Sequence, residues 1–209
     1  MINKLDESSL LQASNWLAER DEALAFVLQR YGPPPLWARE PGFSTLVHII
    51  LEQQVSLASA NAAFQKLKSL LGTVHPASFL LLTDEDLRNI GFSRQKTSYC
   101  RSLAEAVCDG RLDLESLTAL SDEQVRAEMK RLKGIGDWTA DIYLSECLLR
   151  PDILPKGDIA MQEAFRVLKN LPGRPVHEAF ELGTAHWRPW RSVGTRMLWH
   201  YYLEVRGER

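Results

Sequence analysis

Leu132-Lys133-Gly134-Ile135-Gly136-Asp137-Trp138-Thr139-Ala140 sets a Gly-x-Gly pair between two segments of helical period. Glycine takes positive φ without a Cβ clash and lets the backbone approach other groups closely. The stretch therefore reads as a tight hairpin joining two amphipathic helices. Amide N–H groups at such a hairpin and at the start of the next helix suit a phosphate. Alone, the pattern equally fits a packing corner between two helices. Downstream stands Leu154-Pro155-Lys156-Gly157-Asp158, with the aspartate directly before Ile159-Ala160-Met161-Gln162-Glu163-Ala164-Phe165, the position of a helix N-cap. Most aspartates so placed are caps and nothing more. The cap and a chemical role are compatible, because the positive end of the helix dipole suits a carboxylate and a fixed anion there stabilises positive charge developing in front of it.

The surrounding chain also reads helical. Ser121-Asp122-Glu123-Gln124 is a capping-box pattern that starts the helix entering the hairpin. That helix carries Arg126, Lys130 and Arg131, with Lys133 just beyond, either as a basic rim or as a solvated face. The helix leaving the hairpin runs from about 138 to 149 and stops at Pro151. A single first helix is expected over 8–30, with Leu10, Leu17, Leu24, Val27 and Leu28 inward, ended by Gly32-Pro33-Pro34-Pro35. Further helices are expected at 43–53, at 57–71 before Gly72, after Thr83-Asp84-Glu85-Asp86 up to Gly91, from Ser93 to about 109, from Asp158 to about 170, at 176–187 and at 189–206. No segment alternates in the way a half-buried strand does. The fold class is all-α, with two helical lobes flanking a cleft and a helix-hairpin-helix over about 121–149.

Composition narrows the function. With 209 residues, 45% of them hydrophobic and 25% charged, the chain can bury a real core. No apolar run approaches the roughly 18 residues of a membrane helix, and Met1-Ile2-Asn3-Lys4-Leu5-Asp6-Glu7 lacks the order of a signal peptide. A cytoplasmic location is expected, nucleoid-associated in a bacterium, with no membrane partner. Cys100, Cys108 and Cys147 have neither disulfide nor zinc spacing. The five histidines, His48, His75, His177, His186 and His200, are scattered without ligand spacing. A net charge of −2 argues against coating nucleic acid by bulk electrostatics, although the acidic excess lies before residue 150 and the basic excess after it.

Three motifs in one order, Leu-x-Gly-Ile-Gly-x-Trp-Thr-Ala from Leu132, Leu-Pro-x-x-Asp ending at Asp158, and Pro189-Trp190-Arg191-Ser192, resemble the helix-hairpin-helix DNA glycosylases, and among them the 3-methyladenine DNA glycosylase II type. Ile49-Ile50-Leu51-Glu52-Gln53-Gln54-Val55-Ser56 and Gly91-Phe92-Ser93-Arg94-Gln95-Lys96 are similar to that family as well. The resemblance covers roughly residues 40–202. It implies a central domain at 40–150 and a discontinuous second lobe, 1–39 plus 151–209, carrying Asp158.

Residue by residue, the resemblance implies that Asp158 is the essential carboxylate and that Trp138, Trp199 and, less directly, Tyr143 line the base pocket; Ile142 stands where a relative has a pocket tyrosine. DNA contacts fall to Gln53, Gln54, Val55, Lys133, Gly134, Ile135, Gly136 and Thr139, with either Gln54 or Val55 filling the gap left by the extracted base. It further implies a structural Na or K ion at the hairpin, held by main-chain oxygens of Lys130, Leu132 and Ile135, and no other cofactor. Related bifunctional enzymes carry a Schiff-base lysine where this chain has Trp138, so hydrolysis without strand cleavage is expected. The partner is double-stranded DNA with a damaged base, bound by a monomer. The activity expected is release of 3-methyladenine and 7-methylguanine in base-excision repair. The alternatives are a non-catalytic helix-hairpin-helix DNA-binding protein and a glycosylase for another lesion such as hypoxanthine.

Overall fold

A computed structural model describes residues 4–207, and among them every regular element is a helix. The chain divides into two compact units: one runs up to Ala38 and resumes at Leu144, and the other is Arg39–Tyr143.

In the Arg39–Tyr143 unit, α3 (Phe43–Glu52) is the central element, with Leu46, Val47, Ile49 and Ile50 all inaccessible to solvent. Burial around most of the helix follows from Leu46-Val47 and Ile49-Ile50-Leu51, interrupted by half-buried His48. It packs against α4 (Leu57–Leu71), α7 (Arg94–Cys108) and α9 (Asp137–Ile142). Side-chain caps set the helix starts. Ser56 caps α4, Ser93 caps α7, and capping boxes at Thr83 and Ser121 open α6 (Asp84–Asn89) and α8 (Asp122–Lys130). A short α5 (Pro76–Leu80), which the hydrophobic pattern does not announce, starts on a proline and inserts Phe79 edge-on against Phe43 at 5.9 Å.

The other unit gathers α1 (Glu7–Ala18), α2 (Glu22–Tyr31), α10 (Ile159–Leu168), α11 (His177–Gly183) and α12 (Arg191–Arg206). The helix expected over 8–30 is two. The chain breaks after Ala18, and Asp21 restarts it by accepting from the Ala23 and Leu24 amides. Apolar spacing carries through the break, with Leu10, Leu17, Leu24 and Val27 all in one core beside Met161, Phe180, Trp187 and Met197, which hides the interruption from a periodicity reading. Leu28 lies at the margin of that core. The helix expected at 176–187 ends at Gly183 and yields to a short 3-10 turn, Ala185–Trp187.

The helix after the hairpin also differs from expectation. Regular α-geometry stops at Ile142 and widens into a π-turn, Tyr143–Cys147. The division between units falls inside this segment, at Tyr143–Leu144, earlier than residue 150. Wholly buried Arg196 shows why: its guanidinium donates to Ser145 O at 2.7 Å, Ser145 Oγ at 3.0 Å, Ser192 O at 2.9 Å and Leu36 O at 2.9 Å. Those bonds bind the π-turn to α12 and to the segment after α2. Burial pushes Arg196 down to about 10, so it stays charged at neutral pH.

Candidate functional site

The hairpin between α8 and α9 is anchored by Leu132 and Ile135, both buried, and closed by the Ile135 amide donating to Leu132 O at 3.2 Å. Gly134 has φ of 89°, and a Cβ built on it would lie 2.0 Å from Cγ of Tyr99. Glycine is obligatory there on both counts. Gly136 is different: its φ is −99°, and a Cβ would meet open space. The expectation that both glycines serve positive φ thus holds for Gly134 only. At Gly136 the missing side chain leaves the face of the α9 N-terminus uncovered.

The basic rim is largely cancelled within the fold. Lys130 pairs with Asp137, Arg131 with Glu128 at 2.7 Å and Arg126 with Asp141 at 2.7 Å. Lys133 is exposed, and no ion pair involves it among the described residues. Lys130, at the last position of α8, offers its main-chain oxygen at the negative end of the helix dipole, where a cation is favoured. Of the other two carbonyls expected to hold an ion, Leu132 O already accepts from the Ile135 amide at 3.2 Å. No group of three or more acidic, His or Cys side chains suited to a metal occurs among the described residues.

The α3–α4 loop belongs to the same unit as the hairpin. Gln54 is exposed with φ of 57°, in the left-handed region, and Val55 is 46% exposed. Gln53 points inward, donating from Nε2 to Gly134 O and to Thr139 Oγ1, each at 2.9 Å. Gln53 and Thr139, both expected among the DNA-contacting residues, are bonded to each other: Thr139 is 1% exposed, and its hydroxyl is the acceptor of that bond. Lys96 Nζ donates to Leu51 O at 2.6 Å.

Asp158 lies in the other unit, 7% exposed, as the N-cap of α10. Its Oδ1 accepts from the Met161 amide at 2.9 Å and lies 3.4 Å from the indole Nε1 of Trp199. Of the expected aromatics, Trp199 is the one that this unit brings to Asp158. Trp37 adds an aromatic that the motif reading passed over: its ring meets Trp199 edge-on at 6.4 Å, and its φ is 47°. No periodicity could flag it, because it follows the Pro33–Pro35 connector. Trp138 is half-buried in α9. Tyr143 is inaccessible to solvent at the start of the π-turn.

Residues 47–189 match the model of the HhH-GPD superfamily base excision DNA repair protein. DNA-3-methyladenine glycosylase 1 of Schizosaccharomyces pombe is 28% identical over 92% of this chain and 87% of its own length. DNA-3-methyladenine glycosylase of Bacillus subtilis is 26% identical over 75% of this chain and 56% of its own, so the chain matches little more than half of that relative. A solved structure of Schizosaccharomyces pombe 3-methyladenine DNA glycosylase in complex with abasic DNA superposes with a TM-score of 0.81 at 27% identity, covering 90% of this chain and 95% of that one. Among the described residues no helix is long and apolar enough to cross a membrane.

Proposed function

Since the chain belongs to the HhH-GPD superfamily of base excision DNA repair proteins, we propose that it is a monofunctional DNA glycosylase releasing alkylated purines of the 3-methyladenine and 7-methylguanine kind from duplex DNA. The observation that carries this reading is Asp158, held as a helix cap with an indole N–H beside its Oδ1. A protein that only binds a polyanion would gain a helix cap from Asp158, which asparagine or serine supplies equally well, and nothing from its negative charge. The names of the relatives agree on the substrate class.

The chemistry follows from the substrate. A base inside a duplex is out of reach, so the nucleotide must be extruded at a cost of a few kcal/mol and the gap filled. Gln54 and Val55 are the exposed candidates for filling it, and the hairpin with Lys133 is the element suited to the phosphates. N3- or N7-methylation gives the purine a positive charge, which suits the face of Trp199, the aromatic beside Asp158, by cation–π attraction. As the N-glycosidic bond breaks, its electron pair leaves with the base and the sugar gains oxocarbenium character. The Asp158 carboxylate stabilises that charge and orients water. Water oxygen bonds to the anomeric carbon and its proton passes to solvent. A cationic leaving group needs no strong acid.

With Trp138 where lyases carry lysine, no Schiff base forms and the strand stays whole. A Na or K ion on the carbonyls of Lys130, Leu132 and Ile135 would stiffen the hairpin. DNA as substrate puts the protein in the DNA-containing compartment. The test is release of free base from methylated duplex by wild type and by Asp158→Asn, scored before and after alkali. Release by wild type alone, with breaks only after alkali, is expected. Lesion-independent binding with no release by either protein would favour a DNA-binding role.

A further inference from the structure

We propose that Gln53 is a positioning residue that joins the exposed Gln54-Val55 turn to the Gly134 hairpin, so that the element holding phosphate and the element filling the vacated stack move as one piece. The proposal rests on the glycosylase reading above.

Nε2 of a glutamine carries two hydrogens, and here both have acceptors on the hairpin side: Gly134 O at the turn and Thr139 Oγ1 in the first turns of α9, each at 2.9 Å. The acceptors cannot drift from each other. Gly134 lies flat against the Tyr99 ring, so close that no Cβ would fit, and Thr139 is 1% exposed. The next residue along, Gln54, adopts φ of 57°, a conformation that side chains larger than glycine take only when their surroundings impose it. Its own side chain makes no hydrogen bond among the described residues, so the constraint comes from its neighbours. On one side stand Gln53 and the Lys96 ammonium on Leu51 O at 2.6 Å, and on the other Ser56 caps α4. The turn is thus held at both ends while Val55 and Leu57 project outward, 46% and 53% exposed.

A turn fixed in this way resists being pushed back by a paired base. A loose one would yield, and the base would stay stacked. The loss should therefore appear where extrusion is costly and vanish where it is not.

The experiment is single-turnover base release from two duplexes, one with 7-methylguanine paired with cytosine and one with 7-methylguanine in a one-nucleotide bulge. Wild type, Gln53→Met and Thr139→Val are compared, the last removing one acceptor from a near-isosteric side chain. Gln53→Met should slow release from the paired site by at least about tenfold and from the bulge by no more than about twofold, and Thr139→Val should move the same ratio in the same direction. Equal slowing on both substrates would show mere damage to the hairpin and overturn the proposal, as would no slowing on either. A wild type that binds both duplexes and releases base from neither would instead overturn the glycosylase reading, and the proposal with it.

Discussion

The Trp199 indole N–H lies 3.4 Å from Oδ1 of Asp158, the same oxygen that accepts from the Met161 amide to cap α10. One oxygen thus serves the fold and meets the aromatic wall at once, which makes the two roles separable by substitution. Asparagine caps as well as aspartate but carries no charge. Asp158→Asn should keep thermal stability within about 1 kcal/mol and lower base release at least about a hundredfold. Asp158→Ala should lose activity to the same degree and, in addition, about 1 kcal/mol of stability, read from urea unfolding.

Trp199 and Trp37 meet edge-on at 6.4 Å beside that carboxylate. An electron-rich wall discriminates by charge. Trp199→Leu keeps apolar bulk and removes the quadrupole, so release of cationic 7-methylguanine should fall by about tenfold more than release of neutral hypoxanthine, in line with the one to two kcal/mol of a desolvated cation–π contact. Comparison of the two rate ratios checks this, and equal losses on both bases would count against an electronic role for the ring.

The two hairpin glycines should fail differently. Gly134→Ala places a Cβ at positive φ and into the Tyr99 ring, so a stability loss of about 2–4 kcal/mol is expected, visible as a lowered urea midpoint. At Gly136 the backbone is ordinary and the space open. Gly136→Ala should therefore fold within about 1 kcal/mol of wild type and weaken binding to undamaged duplex, measured by fluorescence anisotropy, because the added methyl covers the face where a phosphate would come.

Helices with their own punctuation were legible in the sequence. α4 and α7 start one residue after Ser56 and Ser93, each capped by a hydroxyl, and α8 opens on the Ser121 capping box as expected. Asp158 before an apolar helical run was legible for the same reason. What escaped depends on distant partners. The break before α2 is capped by Asp21, whose other contacts come from Lys169, His186 and Trp187, and no local pattern predicts them. The inward turn of Gln53 and the burial of Thr139 and Tyr143 are likewise products of packing between segments far apart in the chain. Periodicity says which face is apolar, and it is silent on which polar group finds an acceptor there.

Asp21 carries a prediction of its own. Its side chain is wholly buried, with Lys169 Nζ at 2.7 Å, Trp187 Nε1 at 2.9 Å and His186 Nε2 at 3.0 Å. Burial by itself would raise its pKa, but the hydrogen bonds from Lys169 and Trp187 and the Lys169 charge outweigh that and hold the carboxyl below the usual range. A carboxylate depressed in the folded state contributes stability above its unfolded pKa of about 3.9 and loses it as pH falls through the folded value. Asp21→Asn leaves Lys169 without its counter-charge, so at neutral pH it should cost about 3 kcal/mol. On acidification below about pH 4 the gap between wild type and variant should narrow, because wild type alone has this contribution to lose. Urea unfolding of both proteins from neutral pH downward measures that gap, and a constant difference across the whole range would show that Asp21 acts through shape and not through charge.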